Sequence, residues 1–296
     1  MSKKNKKGSV YVIVPTYNRV ELTRKCLSLL LNQTYKNIRI IVSDGKSSDG
    51  TPHIISSEFP EAVLLRSKKK LWWGGAMAKG IEYAYENSAS NHDFILMMND
   101  DTKFPKDYIE KMVDASVKYN SVVGSLMADA NHPEAPPSVG VYINWNKFFF
   151  SSREINSEEK TYCNDIDTLP GRGTIIPIDI VRDVGNINVK KFPHYFSDYE
   201  YFCRIKERGY TLFVTYETKI FMYPDKTGLV LDKKKKINIF KKINIYLSRR
   251  SKSNVFAQYN FIDTVAPDNL KKVLKMRFIP QSLHKVIYFL EKKSIH

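Results

Sequence analysis

Residues 94–104 read FILMMNDDTKF, an apolar run that stops abruptly at Asn99, Asp100 and Asp101. Phe94–Met98 is short for a helix and reads as a buried strand. A buried strand that ends in two adjacent carboxylates sets a physical condition. Like charges repel, and burying either one without a partner is costly. Something at the end of this strand has to offset both.

The neighbouring segments alternate in type. SVYVIVP (9–15) is a β-branched run closed by Pro15, and ELTRKCLSLLLNQ (21–33) is a helix with Leu22, Cys26, Leu29 and Leu30 on one side. IRIIVSD (38–44) and AVLLR (62–66) read as strands, and GAMAKGIEYAYEN (75–87) as a helix with Ala76, Ile81, Ala84 and Tyr85 apolar. This alternation predicts an α/β fold with a mostly parallel sheet and helices on its faces. Ligands of such sheets bind beyond the carboxyl ends of the strands, where Asp44 and Asp101 fall. Pro105 is expected to open a helix over 105–118. Residues 125–175 read as loop-rich mixed structure. SDYEYFCRIKER (197–208) reads as a helix ended by Gly209, and TLFVTY (211–216) as a further strand.

The chain has 296 residues, 43% of them hydrophobic, which is enough for a sizeable core. Its three cysteines form no CxxC pair, so a reduced, intracellular setting is expected rather than a disulfide framework. The apolar run Val10–Val14 is too short for a signal-peptide core, and no run of about 18 apolar residues suggests a membrane span. The formal charge of +16 is uneven: residues 229–296 carry a net +12, residues 1–8 a net +4, and residues 9–228 balance. The chain thus divides into a basic tail (1–8), a neutral domain (9–228) and a basic C-terminal region (229–296). In that last region Ile237, Phe240, Ile243 and Leu247 fall on one helical face, and Leu283, Val286, Ile287 and Leu290 on another. Basic amphipathic helices lie on anionic membrane surfaces; packing on the domain or on a second subunit is the other reading.

Four stretches stand out in order: VPTYNR (14–19), SDGKSSDGT (43–51), NDD (99–101) and SDYEYFCRIKERGY (197–210). Together they resemble the inverting family 2 glycosyltransferases of the GT-A fold, bacterial surface-polysaccharide type, over residues 9–228. The resemblance implies that Pro15, Thr16, Tyr17, Asn18 and Asp44 hold the nucleotide of a nucleotide-sugar; a carboxylate accepts well from ribose hydroxyls or a base N–H. It implies that NDD stands for the family's DxD motif, with Asp101 on a divalent cation (Mg²⁺ or Mn²⁺) and Asn99 and Asp100 toward the donor. A hard cation takes oxygen ligands and offsets clustered carboxylates. Where many members carry a second metal ligand, a histidine, this chain has Tyr223, a poor ligand for either ion. Trp72 or Trp73 is expected to stack on sugar or base, or else to be core. Gly171, Arg172 and Gly173 resemble the acceptor-side loop.

The resemblance makes Asp198 or Glu200 the general base. Ser197-x-x-Glu200 also reads as a capping box, which occupies Glu200, so Asp198 is the expected base and Glu200 an acceptor-side residue. The implied activity is hexosyl transfer to a glycan or lipid-linked acceptor in surface polysaccharide assembly, peripheral to the cytoplasmic membrane face. A catalytically silent sugar-nucleotide or glycan-binding module is the alternative. A nucleic-acid-binding protein is disfavoured by the neutral body and the lack of a nucleic-acid motif.

Overall fold

The structure, a computed structural model, describes residues 8–153, 155, 161–223, 246–251 and 253–278. Strand β1 (Val10–Thr16) lies between β2 (Ile38–Asp44) and β4 (Phe94–Met97), parallel to both, and β3 (Val63–Arg66) extends the parallel set beyond β2. Every residue of β1 is buried. Val10, Val12 and Val14 point into one core and Tyr11 and Ile13 into the other. A strand covered on both faces needs apolar residues at every position, which is why SVYVIVP shows no polar alternation. The first core is closed by α1 (Val20–Leu31), α2 (Thr51–Glu58) and α4 (Tyr108–Tyr119). The second is closed by α3 (Trp73–Asn87), α5 (Ile178–Val184) and α6 (Ser197–Glu207).

Beyond β4 the sheet changes direction. β10 (Thr174–Pro177) runs antiparallel between β4 and β6 (Val122–Asp129). β11 (Leu212–Met222) is parallel to β6, with a bulge between Thr215 and Lys219. Its antiparallel neighbours are β5 (Thr102–Lys103) and β9 (Tyr162–Cys163). β7 (Val139–Asn144) and β8 (Phe149–Arg153) form a separate hairpin. The result is an α/β fold with a mostly parallel central sheet, as the alternating segments predict.

Several boundaries differ from those that the sequence predicts. Residues 105–107 form a turn, and α4 begins only at Tyr108, so Pro105 precedes the helix rather than opening it. Pro52 stands in the first turn of α2, a helix within a stretch of turn-forming residues. The segment 125–175 is mixed, as expected: the strands β6 to β10 are separated by turns and loops such as 130–138 and 164–173. Gly209 follows α6 with φ +92° and donates its N–H to the Lys206 carbonyl (3.0 Å), the left-handed closure that favours glycine.

In the C-terminal region, α7 (Val255–Val265) is capped by Asn254, whose side chain accepts from the Ala257 N–H (2.8 Å). Its Phe261 is fully buried among Phe192, Phe196, Phe148 and Phe150. This aromatic cluster fastens α7 to α6 and the β7–β8 hairpin. The helical residues 268–278 add Leu274 against Ile262 and Ala266. The amphipathic faces expected at 237–243 and 283–290 lie outside the described residues. Among the described residues, no helix is long and apolar enough to cross a membrane.

Helix α3 comes close to the sheet at Gly80, where a Cβ would stand 2.3 Å from Cγ2 of Ile13. Ile13 is β-branched and fully buried on the central strand, so it cannot turn aside. Gly80→Val is therefore expected to lower unfolding free energy by about 1–3 kcal/mol through overpacking. Urea denaturation checks this; an unchanged midpoint would mean that α3 shifts freely on the sheet.

Candidate functional site

The site forms at the carboxyl ends of β1, β2 and β4. Thr16 and Asp44 are register partners at the ends of β1 and β2. Asp44 is fully buried and accepts the Ser47 N–H on both oxygens (3.0 and 3.2 Å), with Nε of Arg66 at 3.7 Å. The loops after these strands are tied by Asn18, in the left-handed region at φ 51°. Its N–H donates to Ser47 Oγ (2.8 Å) and its side-chain oxygen accepts the Ser48 N–H (2.7 Å). The neighbouring Tyr17 is partly exposed, with Nζ of Lys70 4.3 Å from its ring centre. Pro15 to Asn18 and Asp44 thus lie together at the carboxyl edge of β1 and β2.

The acid pair at the end of β4 is met by Arg19. Its Nη1 lies 2.6 Å from Asp100 Oδ1 and its Nη2 3.3 Å from Asp101 Oδ2. Both carboxylates are almost completely buried. Thr16 and Thr23 hydroxyls reach the other Asp100 oxygen at 3.3 and 3.4 Å. Burial pushes the Asp100 carboxyl up to about 6 against the opposing pull of Arg19, and the Asp101 charge adds to the rise. Arg19 stands within VPTYNR, but the motif alone gives it no role. Two buried acids require a cation, but only the pairing of β1 with β4 identifies this arginine as that cation.

The metal expectation has one local support. Asp101 Oδ1 is buried without a hydrogen-bond partner, and a hard cation suits such an oxygen. Among the described residues no group of three histidine, cysteine or acidic side chains gathers to hold an ion. Tyr223 has Nζ of Lys103 5.2 Å from its ring centre, so a side-chain cation already occupies its surroundings. A metal here would take Asp101 from the protein and its other oxygens from diphosphate and water.

Trp73 joins Asn99, beside the acid pair, to the far side of the site. Its Nε1 donates to Asn99 Oδ1 (2.8 Å), while its ring lies against Gly171, where a Cβ would stand 2.3 Å from the ring edge. Trp73 is half-buried between core and cleft; Trp72 instead meets the ring of His194 at 5.5 Å. Asp198 Oδ2 accepts the Gly171 N–H (2.9 Å) and Oδ1 the Tyr199 N–H (3.0 Å). Burial raises the Asp198 carboxyl above the usual range, and those backbone donors oppose the rise, as does the more distant Arg172. Gly173 N–H donates to the Met97 carbonyl (2.8 Å), which anchors the 171–173 loop to the end of β4. At φ +71° and with Tyr108 Oη 2.6 Å from a would-be Cβ, position 173 admits only glycine.

The capping box is not formed. Phe196, with φ 66°, is the residue preceding the helix, so Ser197 is already helical and its hydroxyl donates to the His194 carbonyl (2.5 Å). Glu200 is occupied in another way: it is buried and paired with Arg204 (Nε 2.8 Å, Nη2 3.3 Å). Arg204 also donates to the carbonyls of Val184 and Asn186. Glu200 is therefore a strut between α6 and the end of α5.

The profile of glycosyl transferase family 2 matches residues 11–168. The glycosyltransferase GlyA of Streptococcus pneumoniae is 28% identical over 161 residues, 52% of this chain and 20% of that protein. The amylovoran biosynthesis glycosyltransferase AmsB of Erwinia amylovora is 31% identical over 108 residues, 35% of this chain and 34% of that protein. The GalNAc(5)-diNAcBac-PP-undecaprenol beta-1,3-glucosyltransferase of Campylobacter jejuni is 27% identical over 123 residues, 40% of this chain and 38% of that protein. The chain thus matches about a fifth to two fifths of each of these relatives. Among solved structures, the mannosyltransferase PcManGT from Pyrobaculum calidifontis, in complex with GDP-Man and Mn²⁺, superposes with a TM-score of 0.56 at 16% identity, over 98% of this chain and 76% of that one. GalNAc-T7 with UDP, GalNAc and Mn²⁺ gives 0.62 at 10% identity, over 99% and 57%. These likenesses establish the GT-A fold.

The buried charges can be tested directly. Arg19→Gln leaves two buried carboxylates without their cation and is expected to cost about 3–5 kcal/mol of stability near neutral pH. Adding Asp100→Asn should recover part of the loss by removing one orphaned charge. Urea unfolding of both variants checks the pair; a single variant as stable as the parent would remove Arg19 from this account. His194 is held down to about 4 from 6.5, by burial and then by Arg250. A depressed histidine contributes stability above the unfolded value that is lost as pH falls through about 6.5 toward 4. His194→Gln should flatten that part of the stability–pH curve, which denaturation midpoints between pH 4 and 7 would show.

Proposed function

The chain belongs to glycosyl transferase family 2, and we propose that it transfers one hexose, with inversion, from a nucleotide-sugar to a hydroxyl of a glycan or lipid-linked acceptor. The observation that carries this reading is the placement of Asp198 across Trp73 and Gly171 from the Asn99-Asp100-Asp101 segment that follows β4. One carboxylate lies on the loop-and-helix side, against Gly171, and two lie at the sheet edge. A single-displacement transfer needs a base on one side of the anomeric carbon and charge neutralisation of the leaving diphosphate on the other.

Asp198 is suited to the base role. Its raised pKa makes it a better proton acceptor than an ordinary carboxylate, and its two backbone donors fix its direction. It takes the acceptor hydroxyl proton as that oxygen attacks the anomeric carbon. General-base catalysis of this kind is typically worth about 10²–10⁴-fold. Asp44 and the Pro15–Asn18 loop would hold the nucleoside, and Asn99 and Asp100 would face the donor sugar or ribose. Gly171 to Gly173 would border the acceptor. A divalent cation at Asp101, Mg²⁺ or Mn²⁺, would neutralise the departing diphosphate as a Lewis acid. Surface polysaccharide assembly at the cytoplasmic membrane face is the proposed setting, supported by the named roles of the amylovoran and undecaprenol-linked relatives. The excess charge of residues 229–296 would favour an anionic membrane there.

The test is a nucleotide-sugar panel assayed for cleavage and transfer with Mg²⁺, Mn²⁺ or EDTA. Asp198→Asn is expected to stay folded, bind donor as the parent does, and lose about 10²-fold or more in rate. Glu200→Gln should lose stability through its broken pair with Arg204 while keeping most of the rate per folded molecule. A fully active Asp198→Asn would sink the base assignment. Donor binding without cleavage by any member of the panel would favour a silent binding module.

A further inference from the structure

Outside the cleft, a cavity of about 360 Å³ opens between the 190–195 segment and α7. Its walls include Lys190, His194, Tyr195, Leu247, Arg249 and Phe256, and no acidic residue lines it. The neighbouring Lys191 ammonium is engaged by Asp263 (3.3 Å) and Thr264 (3.2 Å). Lys190 and Arg249 are exposed and have no such partner among the described residues. Two wall amides are also spent: Asn254 donates to the Leu247 carbonyl and Asn260 to the Lys191 carbonyl. Two cations therefore remain to meet a ligand. Beside them Leu247 and Phe256 are 48% and 65% exposed. The cavity thus presents positive charge and apolar surface together, at a volume usual for small-ligand sites.

The cavity also adjoins the proposed base. Tyr195, one of its walls, feels the charges of Arg172, Arg250 and Asp198 at once. His194, another wall, accepts the Ser197 hydroxyl through its carbonyl and meets Trp72 through its ring. A molecule held here would lie against the segment that leads directly into Asp198.

We propose that this cavity is a subsite for the phosphate or diphosphate of an amphiphilic acceptor, with Lys190 and Arg249 on the anion and Leu247 and Phe256 on the first part of its apolar chain. The inference deepens the transferase reading and rests on it for the word acceptor; the binding chemistry stands separately. Anchoring the charged end in the cavity would leave the rest of the acceptor to reach Asp198, so chain-linked acceptors would be chosen over free sugars.

Calorimetric titration of the full chain with farnesyl diphosphate, inorganic pyrophosphate and farnesol tests the proposal. Farnesyl diphosphate should bind at least about tenfold more tightly than either half alone. The Lys190→Ala/Arg249→Ala double variant should weaken it by about tenfold or more, as expected for loss of charge-assisted contacts. Phe256→Ala, at an exposed position that does not threaten the fold, should weaken farnesyl diphosphate while leaving pyrophosphate unchanged. Equal binding by the parent and the double variant would overturn the proposal. So would sedimentation with phosphatidylglycerol vesicles in the absence of farnesyl diphosphate binding, which would mark a membrane-facing patch. Farnesyl diphosphate binding by a protein that cleaves no nucleotide-sugar would uphold the cavity and remove the transferase reading. Cleavage without such binding would do the reverse.

Discussion

The fork of Arg19 across Asp100 and Asp101 is the interaction on which the site depends. It joins the loop after β1 to the end of β4, and it does so where both acids are removed from water. A planar guanidinium meets two carboxylates at once, which a lysine ammonium cannot do in the same way. Without it, one of the two acids would have to take up a proton, and the strand end would lose the charge that its position requires. Thr16 and Thr23 add hydroxyls to the same cluster, so α1 is held against the strand ends by polar contacts as well as by its apolar face. The loops after β1 and β2 are fixed from the other side by Asn18 and Ser47.

Much of this arrangement is legible in the amino-acid sequence. The parallel core follows from apolar runs at β1, β2 and β4 that are too short and too β-branched for helices. Asp44 and Asp101 are expected at the ligand edge because they end such runs. What is not legible has definite causes. Arg19 shares no local pattern with the acids that it neutralises, because their meeting is made by the pairing of β1 with β4. The antiparallel placement of β10 is likewise set by pairing between distant segments. Ser197 and Glu200 have the spacing of a capping box, but Phe196 adopts a left-handed backbone that moves the helix start forward by one residue. Local sequence allows Trp73 either a core or a ligand-facing place, and the residue takes a middle position. Its ring edge packs on Gly171 while its N–H orients Asn99.

The C-terminal region shows how composition can point in one direction and packing in another. Its charge suggests a surface apart from the domain, yet α7 inserts Phe261 into an aromatic cluster shared with α6 and the β7–β8 hairpin. Docking and positive charge are compatible because they fall on different helical stretches: α7 carries no lysine or arginine, while residues 268–278 bury Leu274 and carry Lys271, Lys272, Lys275 and Arg277, whose long side chains can extend into water. The cavity beside Lys190 and Arg249 is a product of that docking, because one of its walls belongs to the domain and the other to α7.

The reversed strand β10 has a consequence for how such a protein can diversify. In a wholly parallel sheet every segment that reaches the ligand edge follows a strand, and all would be constrained together. Here the 171–173 loop reaches the same edge by preceding its strand. The long path from β6 through the β7–β8 hairpin therefore ends at the cleft while adding nothing to the parallel half. Its exposed stretch 131–136 can vary without touching Asp44, Asp101 or Arg19, whereas Val139, Ile166 and Leu169 share the core of Ile13 and Met97. One side of the ligand edge is thus open to variation in length, and the other is held by strand pairing and by the Arg19 fork.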